Sequence, residues 1–156
     1  MRVFVTGATG FIGSAVVPEL IGAGHQVVGL APSDASAAAL ATAGAEVHHR
    51  SLDDLGSLRS GAADSDGVIH LAFIHDFSNF GASVAADYRA IETLCAVLEG
   101  SDRPLVIASG TAGLTPGRMA TEQDWGKPDV PTSPRLARSH SVGVQRGTLR
   151  RAEPCE

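Results

Sequence analysis

Apolar positions recur along the first two thirds of the chain in two alternating rhythms. Val3-Phe4-Val5 is an unbroken apolar run that stops at Thr6-Gly7, the pattern of a buried strand. From Phe11 to Ala23 the apolar positions 12, 16, 17, 20 and 21 follow helical spacing. Pro18 lies inside that stretch, where a missing N–H is expected to bend the helix, and Gly22 and Gly24 end it. Gln26 to Leu30 predicts a second strand, and Ser33 or Asp34 can cap a second, Ala-rich helix through Ala43. Glu46 to His49 predicts a third strand, and Asp53-Asp54 start a short helix through Leu55 and Leu58. Gly67 to Leu71 predicts a fourth strand, Phe80 to Leu98 a long helix with apolar residues at 84, 85, 91, 94, 95 and 98, and Leu105 to Ala108 a fifth strand.

Strands that alternate with helices give an α/β fold with a parallel sheet and helices on both faces. About five strands in this rhythm make a Rossmann-like doubly wound sheet, expected in the order 3-2-1-4-5. Its ligand crevice lies outside the carboxyl ends of strands one and four. The informative loops are therefore 6–13, 31–34, 51–54, 72–80 and 109–117. After about Gly113 the pattern fails: Pro116, Pro128, Pro131 and Pro134 punctuate a loop, and residues 135–156 are Arg-rich without clear period. The expected division is a nucleotide-binding domain over 1–118 and an irregular, basic tail over 119–156.

Composition narrows the class. With 156 residues, 44% hydrophobic and 19% charged, the chain suits one globular domain. No apolar run reaches a membrane span, and the start lacks a signal-peptide pattern, so a cytoplasmic location is expected. The two cysteines, Cys95 in a helical apolar pattern and Cys155 near the end, do not make a disulfide framework. The six histidines include one adjacent pair, His48-His49, whose side chains point to opposite strand faces, so no metal site is expected. The net charge of −5 divides into −8 over residues 1–132 and +3 over 133–156, and an acidic body is a poor nucleic-acid partner.

The run Thr6-Gly7-Ala8-Thr9-Gly10-Phe11-Ile12-Gly13 has the spacing G-x-x-G-x-x-G. Gly7 lets the chain leave the strand in a tight turn, Gly10 admits a pyrophosphate to the backbone, and Gly13 lets the helix pack close to the sheet. The helix N-terminus adds N–H donors and partial positive charge. The motif follows a strand and opens a helix inside a βαβ unit, which is the context it requires. The cofactor expected is NADP or NAD. An acidic residue at the end of strand two favours NAD and a basic one NADP. Leu30-Ala31-Pro32-Ser33-Asp34 offers neither at the decisive place. Ser33 can donate to a phosphate, and Asp34 either accepts from a ribose hydroxyl or caps the helix.

Together with Ser51-Leu52-Asp53-Asp54, Gly67-Val68-Ile69-His70-Leu71-Ala72 and Val106-Ile107-Ala108-Ser109-Gly110-Thr111, the glycine turn resembles the extended and atypical short-chain dehydrogenases/reductases of the NAD-dependent epimerase/dehydratase family. The resemblance covers residues 1 to about 118. It implies that Thr6, Gly7, Thr9, Gly10, Phe11, Ile12 and Gly13 hold the pyrophosphate. It also implies that Leu52 and Asp53 lie beside the adenine, and that Ala72 and Phe73 run past the nicotinamide-side ribose. Thr111, with Ser109 second, would carry the catalytic hydroxyl that orients a substrate carbonyl, and the substrate would be a small carbonyl or sugar-like molecule.

The family's chemistry uses a Tyr with a Lys four residues later, since an unaided phenol is a poor acid-base group at neutral pH. The single Tyr, Tyr88, is followed at that spacing by Glu92, and the single Lys, Lys127, stands in the Pro-rich loop. The region where the pair is expected reads Ser133 to Ser141 without either residue. His140 reads as a solvated side chain, His70 as a packed strand residue, His75-Asp76 as a crevice-loop pair able to touch substrate, and Trp125 as a packing residue. The Arg-rich tail reads as a frame-changed or truncated end, and a sheet shortened in that way is expected to self-associate as a homodimer. Three functions follow: an oxidoreductase-family protein, a non-catalytic dinucleotide sensor similar to NmrA-like regulators, or a scaffold without ligand.

Overall fold

In the computed structural model, which describes residues 1–108, 117–119 and 121, the elements run β1 (Arg2–Thr6), α1 (Gly13–Gly22), β2 (Gln26–Ala31), α2 (Asp34–Thr42), β3 (Glu46–His49), α3 (Leu55–Ala63), β4 (Gly67–His70), a 3₁₀ turn (Phe77–Asn79), α4 (Phe80–Leu98) and β5 (Leu105–Ile107). The five strands are parallel in the order β3-β2-β1-β4-β5, as the alternating rhythm predicts. Val5 stands opposite Gly29 on one side and Ile69 on the other, so the tips of β1, β2 and β4 come level at one edge.

Alternation within β1 builds two cores from one strand. Val3 and Val5 face α1 and α2 and pack with Val17, Val27 and Leu40. Phe4 faces α3 and α4 and packs with Leu58, Val68, Ile91 and Leu94. Both layers depend on close approach. Gly29 leaves room for the Leu40 side chain on one face, and Gly61 lets α3 sit against the Phe4 ring, where a Cβ would lie 2.6 Å from ring carbons. Cys95 is buried in the second layer.

Helix ends follow local chemistry. Ser33, not Asp34, is the N-cap of α2 and accepts from the Ser36 amide, and Asp54 caps α3 by accepting from the Ser57 amide. The first helix is shorter than its apolar spacing suggests: Phe11 and Ile12 belong to the glycine turn, and Phe11 is 98% exposed. α1 runs as one helix through Pro18, an exposed position, where water can serve the carbonyl the ring leaves unpaired. No helix among the described residues is long and apolar enough to cross a membrane, and none of their His, Cys, Asp and Glu side chains form a group that could hold a metal ion.

Candidate functional site

The level strand tips leave a cleft of about 590 Å³, a size common for ligand sites. The glycine turn forms one wall through Gly7, Thr9, Gly10, Phe11, Ile12 and Gly13. Leu30 and Pro32 at the tip of β2, and Ser51, Leu52 and Asp53 after β3, form the second. Leu71, Ala72, Phe73, Ile74 and His75 after β4 form the third.

The turn is shaped by what its glycines lack. Gly7 has φ +67°, and a Cβ there would lie 2.6 Å from the Ala72 amide nitrogen, so the first wall can approach the third only without a side chain. The Gly10 amide closes the turn by donating to the Gly7 carbonyl at 3.0 Å. Gly10 itself is exposed on the cleft, and an added Cβ would meet only the Gly7 oxygen at 3.2 Å. A Cβ on Gly13 would run into the Gly7 carbonyl oxygen and lie 2.6 Å from the Ala8 carbonyl carbon. Gly13 therefore seats α1 on the turn itself, where the sequence suggested contact with the sheet. No side chain caps the first turn of α1. That leaves a backbone-lined concavity at a helix N-terminus, the arrangement that suits a diphosphate.

Two expected contact residues stand elsewhere. Thr6 is fully buried beneath the turn. Its Oγ1 lies 2.7 Å from His70 Nδ1 and accepts from the Ala72 amide at 3.3 Å, while His70 Nε2 lies 3.1 Å from Asp87 Oδ1. With Thr6 donating to Nδ1, the imidazole carries its proton on Nε2 and donates to the carboxylate. The chain Ala72–Thr6–His70–Asp87 thus anchors the half-buried third wall to α4 through Thr6, His70 and Asp87, which are fully buried. Ser33 faces α2, its hydroxyl engaged with Ser36, and is not among the residues lining the cleft. The other expected cofactor contacts, from Thr9 to Gly13 and at Gly7, Leu52, Asp53, Ala72 and Phe73, come together on the cleft.

The sequence reading passed over Asp87. Its signal was a carboxylate placed four positions before Ile91 and seven before Leu94, on the buried stripe of α4. After β4, Asp76 turns away from the cleft: its carboxylate accepts from the Ser78 amide at 3.0 Å and from the Ser78 hydroxyl, and both bonds hold it below the usual carboxylate range. Tyr88 lies on α4 and does not line the cleft. Ser109, Thr111, Trp125, Lys127, His140 and Cys155 lie outside the described residues.

Comparison with known proteins matches this architecture to one family. The model of the NAD dependent epimerase/dehydratase family matches residues 3–134. An uncharacterised protein of Saccharomyces cerevisiae is 48% identical over 126 residues, 80% of this chain and 42% of the relative. An uncharacterised protein of Schizosaccharomyces pombe is 50% identical over 123 residues, 78% of this chain and 42% of the relative. Among solved structures, a putative epimerase from Burkholderia cenocepacia is 29% identical with a TM-score of 0.64, covering 89% of this chain and 48% of that one. A short-chain dehydrogenase/reductase superfamily protein from Agrobacterium tumefaciens with bound NAD shares the fold at 24% identity and a TM-score of 0.64, covering 90% of this chain and 43% of that one. The chain spans less than half the length of each of these proteins. The matched segment contains the glycine turn, all five strands and every wall of the cleft, and the chain belongs to the NAD dependent epimerase/dehydratase family.

Proposed function

We propose that this chain binds a nicotinamide dinucleotide in the cleft, as the cofactor-holding part of an oxidoreductase-type protein. The observation that carries this reading is the cradle around Gly7, Gly10 and Gly13, where bare backbone meets an uncapped helix N-terminus. In this reading the turn holds the diphosphate, Leu52 and Asp53 flank the adenine, and Ala72 and Phe73 border the nicotinamide-side ribose. A bound nicotinamide supplies hydride exchange; the chain's own residues bind and orient it and screen it from water. Among the described residues, Asp53 is the only carboxylate lining the cleft, and none of their Lys or Arg side chains lines it. Among the described residues a 2′-phosphate therefore meets no cationic side chain there, which favours NAD over NADP.

Titration with NADH and NADPH, followed by nucleotide fluorescence, tests this. NADH is expected to saturate at lower concentration than NADPH. Gly10→Val is expected to abolish binding while leaving the fold intact, because its Cβ meets no close neighbour except the Gly7 oxygen. Saturation by neither nucleotide refutes the reading. A non-catalytic dinucleotide-binding role is the second reading. It is favoured by the placement of Tyr88, the only Tyr of the chain, on α4 away from the cleft, and it predicts binding without substrate-dependent NADH oxidation.

A further inference from the structure

We propose that Asp87 is a positioning residue for the dinucleotide site: acting through His70 and Thr6, it fixes the direction of the buried hydrogen bonds and so holds the Ala72 amide against the glycine turn. The inference rests on the dinucleotide reading of the cleft. Asp87, His70 and Thr6 are all fully buried. Asp87 Oδ1 lies 3.1 Å from His70 Nε2, His70 Nδ1 lies 2.7 Å from Thr6 Oγ1, and Thr6 Oγ1 lies 3.3 Å from the Ala72 amide nitrogen. Ala72 lines the cleft, and its amide nitrogen is the atom that a Cβ on Gly7 would approach to 2.6 Å. The relay therefore ends where the third wall meets the turn.

The two ends of the relay set its direction. A carboxylate only accepts, an amide N–H only donates, and a neutral imidazole does one at each nitrogen. With Asp87 accepting, Nε2 carries the ring proton and Nδ1 accepts. Thr6 then gives its single proton to Nδ1 and keeps a lone pair for the Ala72 amide. A proton on Nδ1 reverses the middle bond. The N–H groups of His70 and Ala72 then share the Thr6 oxygen, and the hydroxyl proton is turned out of the relay.

The place of Asp87 on α4 gives the carboxylate little other reason to be there. It stands four residues before Ile91 and seven before Leu94, on the buried stripe of the helix, where a leucine would add to the second core. A carboxylate at that position carries a desolvation cost that a leucine does not. What it adds is direction, since an apolar side chain fixes neither the imidazole tautomer nor the Thr6 proton. Direction matters where the strand stops. β4 ends at His70, and the Leu71 amide still reaches the Thr6 carbonyl at 3.1 Å. At the next residue, Ala72, the Thr6 hydroxyl takes over from the backbone.

Imidazole NMR and a double-mutant cycle read by NADH affinity test this. In the nitrogen-labelled whole chain, the His70 ring is expected to carry its proton on Nε2 with Nδ1 bare. A proton on Nδ1, in the neutral ring or the imidazolium, overturns the proposal, and this measurement needs no variant to fold. Asp87→Leu is expected to weaken NADH roughly fivefold, and Thr6→Val by at least as much. Because Asp87 acts through Thr6, the double variant Asp87→Leu/Thr6→Val is expected to bind NADH no more weakly than Thr6→Val alone. Residues that serve the fold independently give losses that multiply, and multiplied losses overturn the proposal. Wild-type chain that binds no NADH refutes the dinucleotide reading and the positioning role with it. Equal NADH binding by wild type and Asp87→Leu removes the positioning role alone and leaves the dinucleotide reading standing.

Discussion

Thr6 joins two structures through one oxygen. It accepts from the Ala72 amide on the cleft wall and meets His70, which reaches Asp87 on α4. Replacing a threonine with valine keeps the shape and removes both bonds, taking the Thr6 oxygen from the half-buried Ala72 amide and from the buried His70 ring. Thr6→Val is therefore expected to lower stability by about 1–3 kcal/mol in urea unfolding, and to weaken NADH binding as Ala72 loses its anchor. Thr6→Ser restores both bonds and is expected to recover most of the affinity. Equal NADH affinity in wild type and Thr6→Val would show that the buried chain serves stability alone. At this scale the glycine turn was readable in advance, because each glycine answers to backbone geometry within a few residues. The duty of Thr6 was not, since its partners His70 and Ala72 are far off in sequence and meet it only when β1 and β4 pair.

The elements are joined at the end opposite the cleft by a residue that no local pattern marks. The Arg103 guanidinium, just before β5, donates to the carbonyls of Ala62 at 2.9 Å and Ser65 at 3.0 Å at the end of α3, and of Val97 at 2.8 Å at the end of α4. One cation thus serves carbonyls left over at two helix C-termini, where the helix dipoles favour positive charge. Arg103→Ala is expected to lower stability by about 1.5–3 kcal/mol and to leave NADH affinity unchanged. Arg103→Lys is expected to recover only part of the loss, since an ammonium lacks the planar fork that reaches both helices. Denaturant midpoints and an NADH titration of each variant check this. By contrast, the exposed Arg2–Glu46 pair is expected to contribute under about 1 kcal/mol. The strands and helices themselves were readable because their apolar periods, two and 3.6, are local. α4 occupies the predicted Phe80–Leu98, and β3 the predicted Glu46–His49. The start of α1 was misread because Phe11 and Ile12 look like helix core residues but ride on the glycine turn.

At the scale of the whole molecule, one sheet carries two cores, and β1 contributes to both through Val3, Phe4 and Val5. Neither layer can melt without exposing the other's strand, so a single cooperative transition is expected. A ligand spanning the strand tips bridges both layers. NADH at a hundredfold excess over its Kd is expected to add about 2.7 kcal/mol, which raises the melting temperature of a domain of this size by roughly 5–10 °C. The shift should be absent in Gly10→Val. Two transitions, or a shift that persists in that variant, would contradict the single-cleft picture.

The sequence by itself determined the strand and helix rhythm, the sheet order that right-handed crossovers impose, and the place of the glycine turn. All of these follow from short-range periodicity and backbone sterics. Tertiary structure alone decided that Thr6 supports the cleft from beneath, through His70 and Ala72. It also decided that Phe73, His75, Phe77 and Phe80 gather into one surface. Those outcomes depend on which side chains distant segments bring within a few ångströms, and a linear pattern carries no record of such distances until the sheet has brought its strands together.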